Sequence, residues 1–233
     1  MSSEALPHDV LTLLAAVQYA DSGYPAGGYA HSFGLEAAVA EGAITDAAGL
    51  EAAIIALLTH QLAPADAVAA AACAHCGTDP AAFAAVDRRL LATRAAREPR
   101  QAALNMGQRL LATAAAEHDP ALAALAAAVR NGETPGNWAC VLGALLGRRG
   151  LRPEAAAALT LWLATNGLLA AAIRLLPLTH DDVQRILVGL RPRIAVLARE
   201  AAAADPLQMA GAAPQWELWA MRHEVATVRL FAS

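Results

Sequence analysis

Apolar residues run along the chain in segments of 10 to 20, rich in alanine and leucine, which prolines and glycines separate. Alanine is the best helix former and a weak strand former, so these segments favour helices over a sheet. Pro192 is a candidate break within the segment 181–203. The pattern predicts helices near residues 9–20, 33–41, 46–62, 65–76, 80–95, 100–117, 121–130, 137–148, 154–175, 181–203 and 214–223.

Local capping signals stand at the expected helix boundaries. An aspartate followed by proline suits an N-cap and the first helical position. Such pairs occur at 79–80, 119–120 and 205–206, with Thr134-Pro135 as a further candidate. Glycine is favoured just after a helix. The expected helix ends lie at Gly42, Gly77, Gly132 and Gly150. Ser32 and the segment Thr179–Asp182 are expected to cap the helices that follow them.

The domain organisation follows from the absence of any divider. No charge run, low-complexity linker or internal repeat interrupts the 233 residues, so we expect a single all-α domain over residues 1–233, a bundle of about ten helices. Hydrophobic residues make up 57% of the chain and charged residues 16%, against a typical charged content of about 25%. A monomer of this composition would expose an unusually large apolar surface. Some helix faces are therefore expected to pack against another chain.

Charge and composition exclude several classes of function. The net charge of −4 leaves no basic excess for phosphates, so no nucleic-acid partner is expected. All 17 basic residues are arginine, whereas Schiff-base and P-loop chemistry need a lysine. Residues 1–4 do not begin a signal peptide, and three cysteines fit a reducing compartment, which predicts a cytoplasmic protein. The uncharged stretch Ala155–Ile173 approaches the length of a membrane span, but its polar residues favour a buried central helix.

The candidate metal ligands are Cys73, His75 and Cys76. On a helix the two cysteines share a face and His75 points elsewhere, and Cys140 is the only other thiol. Structural zinc needs four ligands at tetrahedral positions. The cysteines are therefore interpreted first as small buried residues near a helix end. A soft-metal or redox pair is the alternative, and it would make the chain a helical metal-binding or redox protein.

No catalytic constellation is recognisable in the sequence. It contains no Gly-x-Ser-x-Gly elbow for a serine nucleophile and no GxGxxG turn after a strand. We therefore do not expect an enzyme.

Two regions are not explained by helix propensity. The first, residues 24–36, concentrates aromatic residues around the adjacent glycines Gly27 and Gly28, and is either a packed loop or a recognition surface. The second, residues 215–233, places tryptophan, methionine and arginine near the end of the sequence, where chains fray unless they are docked. Docking on the chain's own bundle and docking on a partner are both open.

These regions carry a resemblance to the UreF family of urease accessory proteins. That family has the signature Leu-Pro-x-Gly-Gly-(aromatic)-x-(aromatic or His)-Ser-x-Gly-Leu-Glu. The similar stretch here is Tyr24-Pro25-Ala26-Gly27-Gly28-Tyr29-Ala30-His31-Ser32-Phe33-Gly34-Leu35-Glu36. The tail resembles the family's closing Arg-His-Glu…Arg-Leu-Phe-x-Ser through Arg222-His223-Glu224 and Arg229-Leu230-Phe231-Ala232-Ser233. Between them, Arg97-Glu98, Asn105-Met106-Gly107, Trp162, Arg174–Leu178 and Asp182-x-Gln184-Arg185 follow the family's order.

The resemblance implies an all-α homodimer that works as a non-catalytic scaffold. Such a protein binds the accessory protein UreD, also called UreH, and the GTPase UreG, and supports nickel delivery into apo-urease. It holds no cofactor stably; nickel is cargo of the complex. The chain departs from the family pattern at residues 137–143 and 166–168.

The resemblance also implies which residues bind partners, with residues 222–233 as a docking tail. The expected partner-binding residues are Arg222, His223, Glu224, Arg229, Leu230, Phe231, Tyr24, Pro25, Gly27, Gly28, His31, Ser32 and Glu36.

Overall fold

The computed structural model describes residues 8–21, 24, 31–77, 79–114 and 118–232. Within these ranges every regular element is helical and no strand occurs, which confirms the all-α class. The α-helices are α1 (His8–Ala20), α2 (Leu35–Ala40), α3 (Ala47–Leu57), α4 (Val68–Cys76), α5 (Pro80–Ala92), α6 (Arg97–Ala114), α7 (Pro120–Arg130), α8 (Trp138–Arg148), α9 (Pro153–Leu175), α10 (His180–Ala203) and α11 (Pro214–Glu224).

The predicted gap between residues 62 and 65 is wrong. A π-helical segment, Leu58–Ala67, joins α3 to α4 without interruption, with Pro64 inside it. Proline lacks the N–H for an α-helical bond and clashes with the carbonyl four residues back. The wider π turn moves that carbonyl away, so the helical path continues.

Pro192 does not break α10 either. The helix runs from His180 to Ala203, and the proline lies on its exposed side. The carbonyl that loses its hydrogen bond belongs to Val188, which is itself exposed. Water can bind that carbonyl, so the break predicted at this position does not occur.

Several of the predicted caps are confirmed. Asp79 accepts from the N–H groups of Ala81 and Ala82 at 2.9 and 3.1 Å, and Asp119 accepts from Ala121 at 2.9 Å. Thr179 and Asp182 form a reciprocal capping box at the start of α10. The four glycines expected at helix ends have positive φ: Gly42, Gly77, Gly132 and Gly150.

Three other boundary predictions need correction. Asp205-Pro206 starts only the short 3₁₀ turn Pro206–Gln208. Thr134-Pro135 starts no helix, because Thr134 Oγ1 instead donates to the buried carboxyl of Asp87 at 2.6 Å. Ser32 is not the cap of α2: Gly34, at φ 97°, occupies that position, and the Ser32 carbonyl accepts from the Leu35 N–H.

The core is built of aliphatic side chains around α4, α8 and α9. The α4 and α8 backbones approach so closely that a Cβ on Gly143 would lie 2.2 Å from the Ala70 carbonyl oxygen, and one on Gly147 would lie 2.3 Å from that of Ala74. The glycines therefore allow α8 to pack against α4 at backbone distance.

Two helical stretches within the described residues are long and apolar enough to cross a membrane, Ala47–Cys76 and Pro153–Leu175. Only length and composition support this, and 56% and 50% of their most apolar windows are buried inside the chain. The core helices of soluble proteins pass the same test of length and composition. The sequence predicts a helix of that kind for residues 155–173.

Candidate functional site

The segment after α11 returns to the start of α2 and binds there through its backbone. Glu36, in the first turn of α2, accepts hydrogen bonds from the N–H groups of Leu230 at 2.7 Å and Phe231 at 3.1 Å. Phe231 is buried, and the guanidinium of Arg174 lies 4.6 Å above its ring. The two sequence regions that share the family resemblance thus meet at one carboxyl group.

His223 links this contact to α6. Its side chain is 1% exposed; Nε2 lies 2.9 Å from Glu36 Oε2 and Nδ1 lies 2.8 Å from Glu98 Oε2. Because each ring nitrogen faces a carboxyl oxygen, the doubly protonated imidazolium is the form that donates to both. Arg229 Nη1 donates to the other oxygen of Glu98 at 2.7 Å. We call Glu36, Glu98, His223 and Arg229 the tail network.

Further ion pairs lie around the tail network. Arg97 Nε donates to Glu224 Oε1 at 2.7 Å, and Arg222 Nη1 donates to Glu41 Oε2 at 2.5 Å. Both arginines are largely exposed, and ion pairs at such sites are worth at most about 1 kcal/mol. The buried histidine and the backbone donors therefore hold the tail more than these pairs do.

Gly34 allows α11 to reach this position. A Cβ at Gly34 would lie 2.8 Å from the backbone nitrogen of Ala220, and its φ of 97° is one that L side chains rarely adopt. On the other side of α11, Glu217 Oε2 accepts from the N–H of Ala96 at 2.6 Å. The glycine of the first sequence region is thus a packing requirement for the helix that carries the second.

The outward side of the tail is apolar. Five large apolar side chains of α11 and the segment after it are exposed, and we call them the tail surface: Leu218, Met221, Val225, Val228 and Leu230. The tail is therefore anchored to the bundle on its inner side and presents hydrocarbon to solvent on its outer side.

The other predicted site residues are not members of the tail network or lie outside the residues that the structure describes, although the Glu98 charge acts on His31 and opposes the effect of burial on its pKa. Tyr24 is half-buried and packs edge-on against Tyr19 at a centroid distance of 5.2 Å. His31 is half-buried, and its ring centroid lies 5.7 Å from that of Phe33. Burial lowers the pKa of His31. Ser32 is fully buried. The predicted Pro25, Gly27 and Gly28 lie outside the described residues.

A cavity of about 180 Å³ opens beside Tyr24. It is lined by aromatic side chains and by the buried ion pair of Asp66 with Arg94. Burial raises the pKa of Asp66, and the Arg94 guanidinium opposes that rise. Sequence reasoning missed this pair because 28 residues separate its members along the chain.

The candidate metal ligands do not converge in the structure. Cys73 is buried, Cys76 is half-buried and His75 is exposed on the last turns of α4. Among the described residues, no three histidine, cysteine, aspartate or glutamate side chains are grouped so as to hold a metal ion.

Sequence reasoning also left Glu98 out of the partner-binding residues, although Arg97-Glu98 was among the segments that resemble the family. Its partners His223 and Arg229 lie 125 and 131 residues further along the chain. The only signal in the sequence was the ordered set of segments itself.

The tail is expected to release at acid pH. Burial raises the pKa of Glu36, but the hydrogen bonds from Leu230, His223 and Phe231 outweigh it, so the pKa is lowered overall. A carboxyl with a lowered folded-state pKa stabilises the fold above its unfolded value of about 4.3 and loses this contribution as the pH falls through the folded value. The backbone amide signals of Leu230 and Phe231 in NMR spectra should therefore shift together below about pH 4.

Glu36→Gln is the matched variant for this titration, because the amide keeps an acceptor oxygen but does not titrate. In that variant, both amide signals should stay constant over the same pH range. If the wild-type chain is taken below pH 4 and these two amide signals do not shift, the assignment of Glu36 as their acceptor is wrong.

The chain is similar to known proteins of one family. A profile of the UreF family matches residues 44–191. Curated relatives named urease accessory protein UreF include one from Rhizobium leguminosarum bv. viciae, 33% identical over 225 residues, which cover 97% of this chain and 98% of the relative. Another, from Methylobacterium radiotolerans, is 34% identical over 233 residues, covering 97% and 99%. One from Cereibacter sphaeroides (strain ATCC 17025 / ATH 2.4.3) is 34% identical over 220 residues, covering 94% and 97%.

The family profile covers more than half of the chain, and the relatives align with nearly all of it. The chain therefore belongs to the UreF family of urease accessory proteins.

Proposed function

We propose that the chain is a non-catalytic scaffold of urease maturation in the cytoplasm. With the accessory protein UreD, also called UreH, it recruits the GTPase UreG and supports nickel insertion into apo-urease. Nickel is cargo of the assembled complex in this proposal, and the chain holds no resident cofactor.

The observation that carries the proposal is the two-sided tail. Its inner side is held by the tail network, in which His223 is almost fully buried between Glu36 and Glu98. Its outer side presents the tail surface, with Val225 79% and Val228 86% exposed. Several large apolar side chains exposed on one short segment are typical of a protein–protein contact. We assign the tail surface to UreD.

The charged rim of the tail suits the same role. Arg222 and Arg229 are exposed in part while paired with carboxylates of α2–α3 and α6, and the exposed Arg97 of α6 is paired with Glu224 at the end of α11. Arginine is enriched at protein interfaces because its planar group combines apolar contact with several donors. These side chains can therefore contact a partner without leaving an unpaired charge on the chain.

The region from Tyr24 to Glu36 contributes to the proposed UreD contact by holding the tail in position. Glu36 is the acceptor that fixes the tail, and Gly34 lets α11 approach α2. The region therefore supports the UreD surface from within. Two roles are open for its remaining residues: they organise the homodimer or they face UreG.

A second apolar face supports the proposed homodimer. On α1, five large side chains are exposed: Val10, Leu11, Leu13, Leu14 and Val17. A helix that presents an apolar face to solvent is a candidate to bury it against another chain. A second copy is the occupant we assign to it.

Substitutions on the outer side of the tail test the UreD assignment. We expect the double variant Val225→Asp, Val228→Asp to weaken co-purification with UreD by about tenfold or more, since burying unpaired carboxylates costs more than the 1.4 kcal/mol that a factor of ten requires. Both side chains are exposed, so the helical circular dichroism of the free chain should not change.

The double variant Val188→Asp, Val196→Asp is the matched control. Val188 and Val196 are 50% and 44% exposed on α10, so Val188→Asp combined with Val196→Asp adds the same charge away from the tail and should leave co-purification unchanged. Truncation after Met221 should also abolish co-purification, but it removes His223 and Phe231 as well. Retention of UreD by the Val225→Asp, Val228→Asp variant would overturn the assignment.

A further inference from the structure

Two thiols on α4 remain outside the tail surface and the proposed scaffold role. Cys73 is fully buried and Cys76 is half-buried on the last turn of the helix. The Cys76 Sγ lies 3.9 Å from the carbonyl oxygens of Cys73 and Gly77, and the two cysteines are three residues apart on the same face of α4. A buried thiol thus backs a thiol that solvent can reach.

We propose that Cys73 and Cys76 form a redox-active pair, in which a hydroperoxide oxidises Cys76 and Cys73 then closes a disulfide. The pair is a modification site, and its substrate class is the small hydroperoxides, with hydrogen peroxide as the simplest. The proposal is independent of the scaffold role and can be tested without any partner protein.

The chemistry balances in two steps. First, the Cys76 thiolate attacks one peroxide oxygen and the O–O bond breaks; Cys76 becomes a sulfenic acid and the leaving oxygen takes up a proton as water. Second, the Cys73 sulfur attacks the Cys76 sulfur; the S–O bond breaks, the S–S bond forms, and hydroxide leaves with the Cys73 proton as a second water. The two thiols lose two electrons and the peroxide gains them. A dithiol reverses the change by exchange.

The environments of the two thiols assign these roles. The hydrogen bond from Cys73 lowers the pKa of Cys76, although burial opposes it, whereas burial raises the pKa of Cys73 well above its ordinary value. The thiolate is the reactive form, and the accessible sulfur of lower pKa reacts first. Cys76 is therefore the attacking residue and Cys73 the resolving one.

The end of α4 permits the disulfide to close. Residues three apart on a helix have Cβ atoms about 5–6 Å apart, and a disulfide requires about 3.5–4.5 Å. The last turn must therefore tighten. Gly77 follows at φ 61°, and a Cβ there would meet nothing within 4 Å, so the chain beyond Cys76 has open space in which to shift.

The third thiol is placed differently. Cys140 is fully buried on α8, in contact with Cys73, and burial raises its pKa to about 11. It belongs to α8, which packs on α4 at backbone distance, and solvent reaches neither Cys140 nor Cys73. We therefore expect it to remain a free thiol when the pair is oxidised.

Trypsin distinguishes the outcomes because the chain has no lysine and its first arginine is Arg88. Cys73 and Cys76 fall in the peptide 1–88, and Cys140 falls in 131–148. After treatment of the full chain with hydrogen peroxide and alkylation in denaturant, peptide 1–88 should be unalkylated and lighter by about 2 Da than its reduced form. Peptide 131–148 should carry one alkyl group, and dithiothreitol should restore both thiols.

Two variants control the experiment. Cys140→Ala should still give the lighter peptide 1–88, whereas Cys76→Ser should give none and leave Cys73 alkylated. Three results would overturn the proposal: a disulfide that joins the two peptides, oxidation of Cys76 to a sulfinic acid without a disulfide, or no oxidation of Cys76 by peroxide.

Discussion

Asp87→Ala is expected to lower the free energy of unfolding by about 4 kcal/mol, the cost typical of removing one partner from a buried polar network. The Asp87 side chain is fully buried and accepts from Thr134 Oγ1 at 2.6 Å, from the Gly136 N–H at 2.5 Å and from the Asn137 N–H at 2.9 Å. The Asn137 side-chain amide donates to it at 2.7 Å. Alanine would take this acceptor from four donors far from water, and among them Asn137 Nδ2 would keep a second acceptor, the backbone carbonyl at position 87, at 3.1 Å.

Urea denaturation followed by tryptophan fluorescence measures this loss. Asp79→Ala is the matched control, because Asp79 is an exposed N-cap whose removal costs about 1 kcal/mol. A similar midpoint for the two variants would mean that Asp87 does not hold the segment before α8 in the way described. Asp87→Asn should fall between them, since its amide keeps one acceptor oxygen.

The second large effect is expected at Gly143. Alanine there would place a Cβ 2.2 Å from the Ala70 carbonyl oxygen, which is closer than real Cβ atoms come to any neighbour. The atom that this Cβ would meet is a backbone oxygen, so α8 must move away from α4 and loosen the centre of the core. We expect a loss of about 3 kcal/mol, at the upper end of ordinary overpacking.

Gly167→Ala is the opposite case within the same fold. Gly167 lies inside α9, and a Cβ there would meet nothing within 4 Å. Alanine should therefore stabilise the chain by up to about 1 kcal/mol through helix propensity. Thermal unfolding monitored by circular dichroism should move the two midpoints in opposite directions. Equal shifts of the same sign would contradict the close packing of α8 on α4.

Helix boundaries could be predicted where the signal is local. Asp79, Asp119 and Thr179 cap helices within three residues of themselves, so the chain segment alone contains the whole interaction. Pro64 and Pro192 were misjudged because the cost of a helical proline depends on what surrounds it. A π turn relieves the first, and solvent on the outer side of α10 relieves the second.

The candidate site was predictable in its residues but not in its connections. The family resemblance named Glu36, His223 and Phe231, and the structure joins these three. It did not predict that Glu98 completes the arrangement, because a carboxyl in α6 gives no local sign of a histidine 125 residues away. The sequence also gives no local sign that the packing of α8 on α4 brings Cys140 close to Cys73.

The open choice for the tail, own bundle or partner, is answered for its inner side. The backbone of Leu230 and Phe231 and the ring of His223 bind the chain itself. The outer side chains, such as Val228, point to solvent. Partner binding through the outer side remains the proposal, and it does not require the tail to leave the bundle.

The contact between Glu36 and Leu230 spans 194 residues of sequence. During synthesis, Glu36 leaves the ribosome before Leu230 and has no tail to bind until Leu230 has been translated. A nascent or prematurely terminated polypeptide can therefore fold much of its helical core and still lack the anchored tail. A chain terminated before Leu230 would therefore lack the anchored form of the tail on which the proposed UreD contact depends.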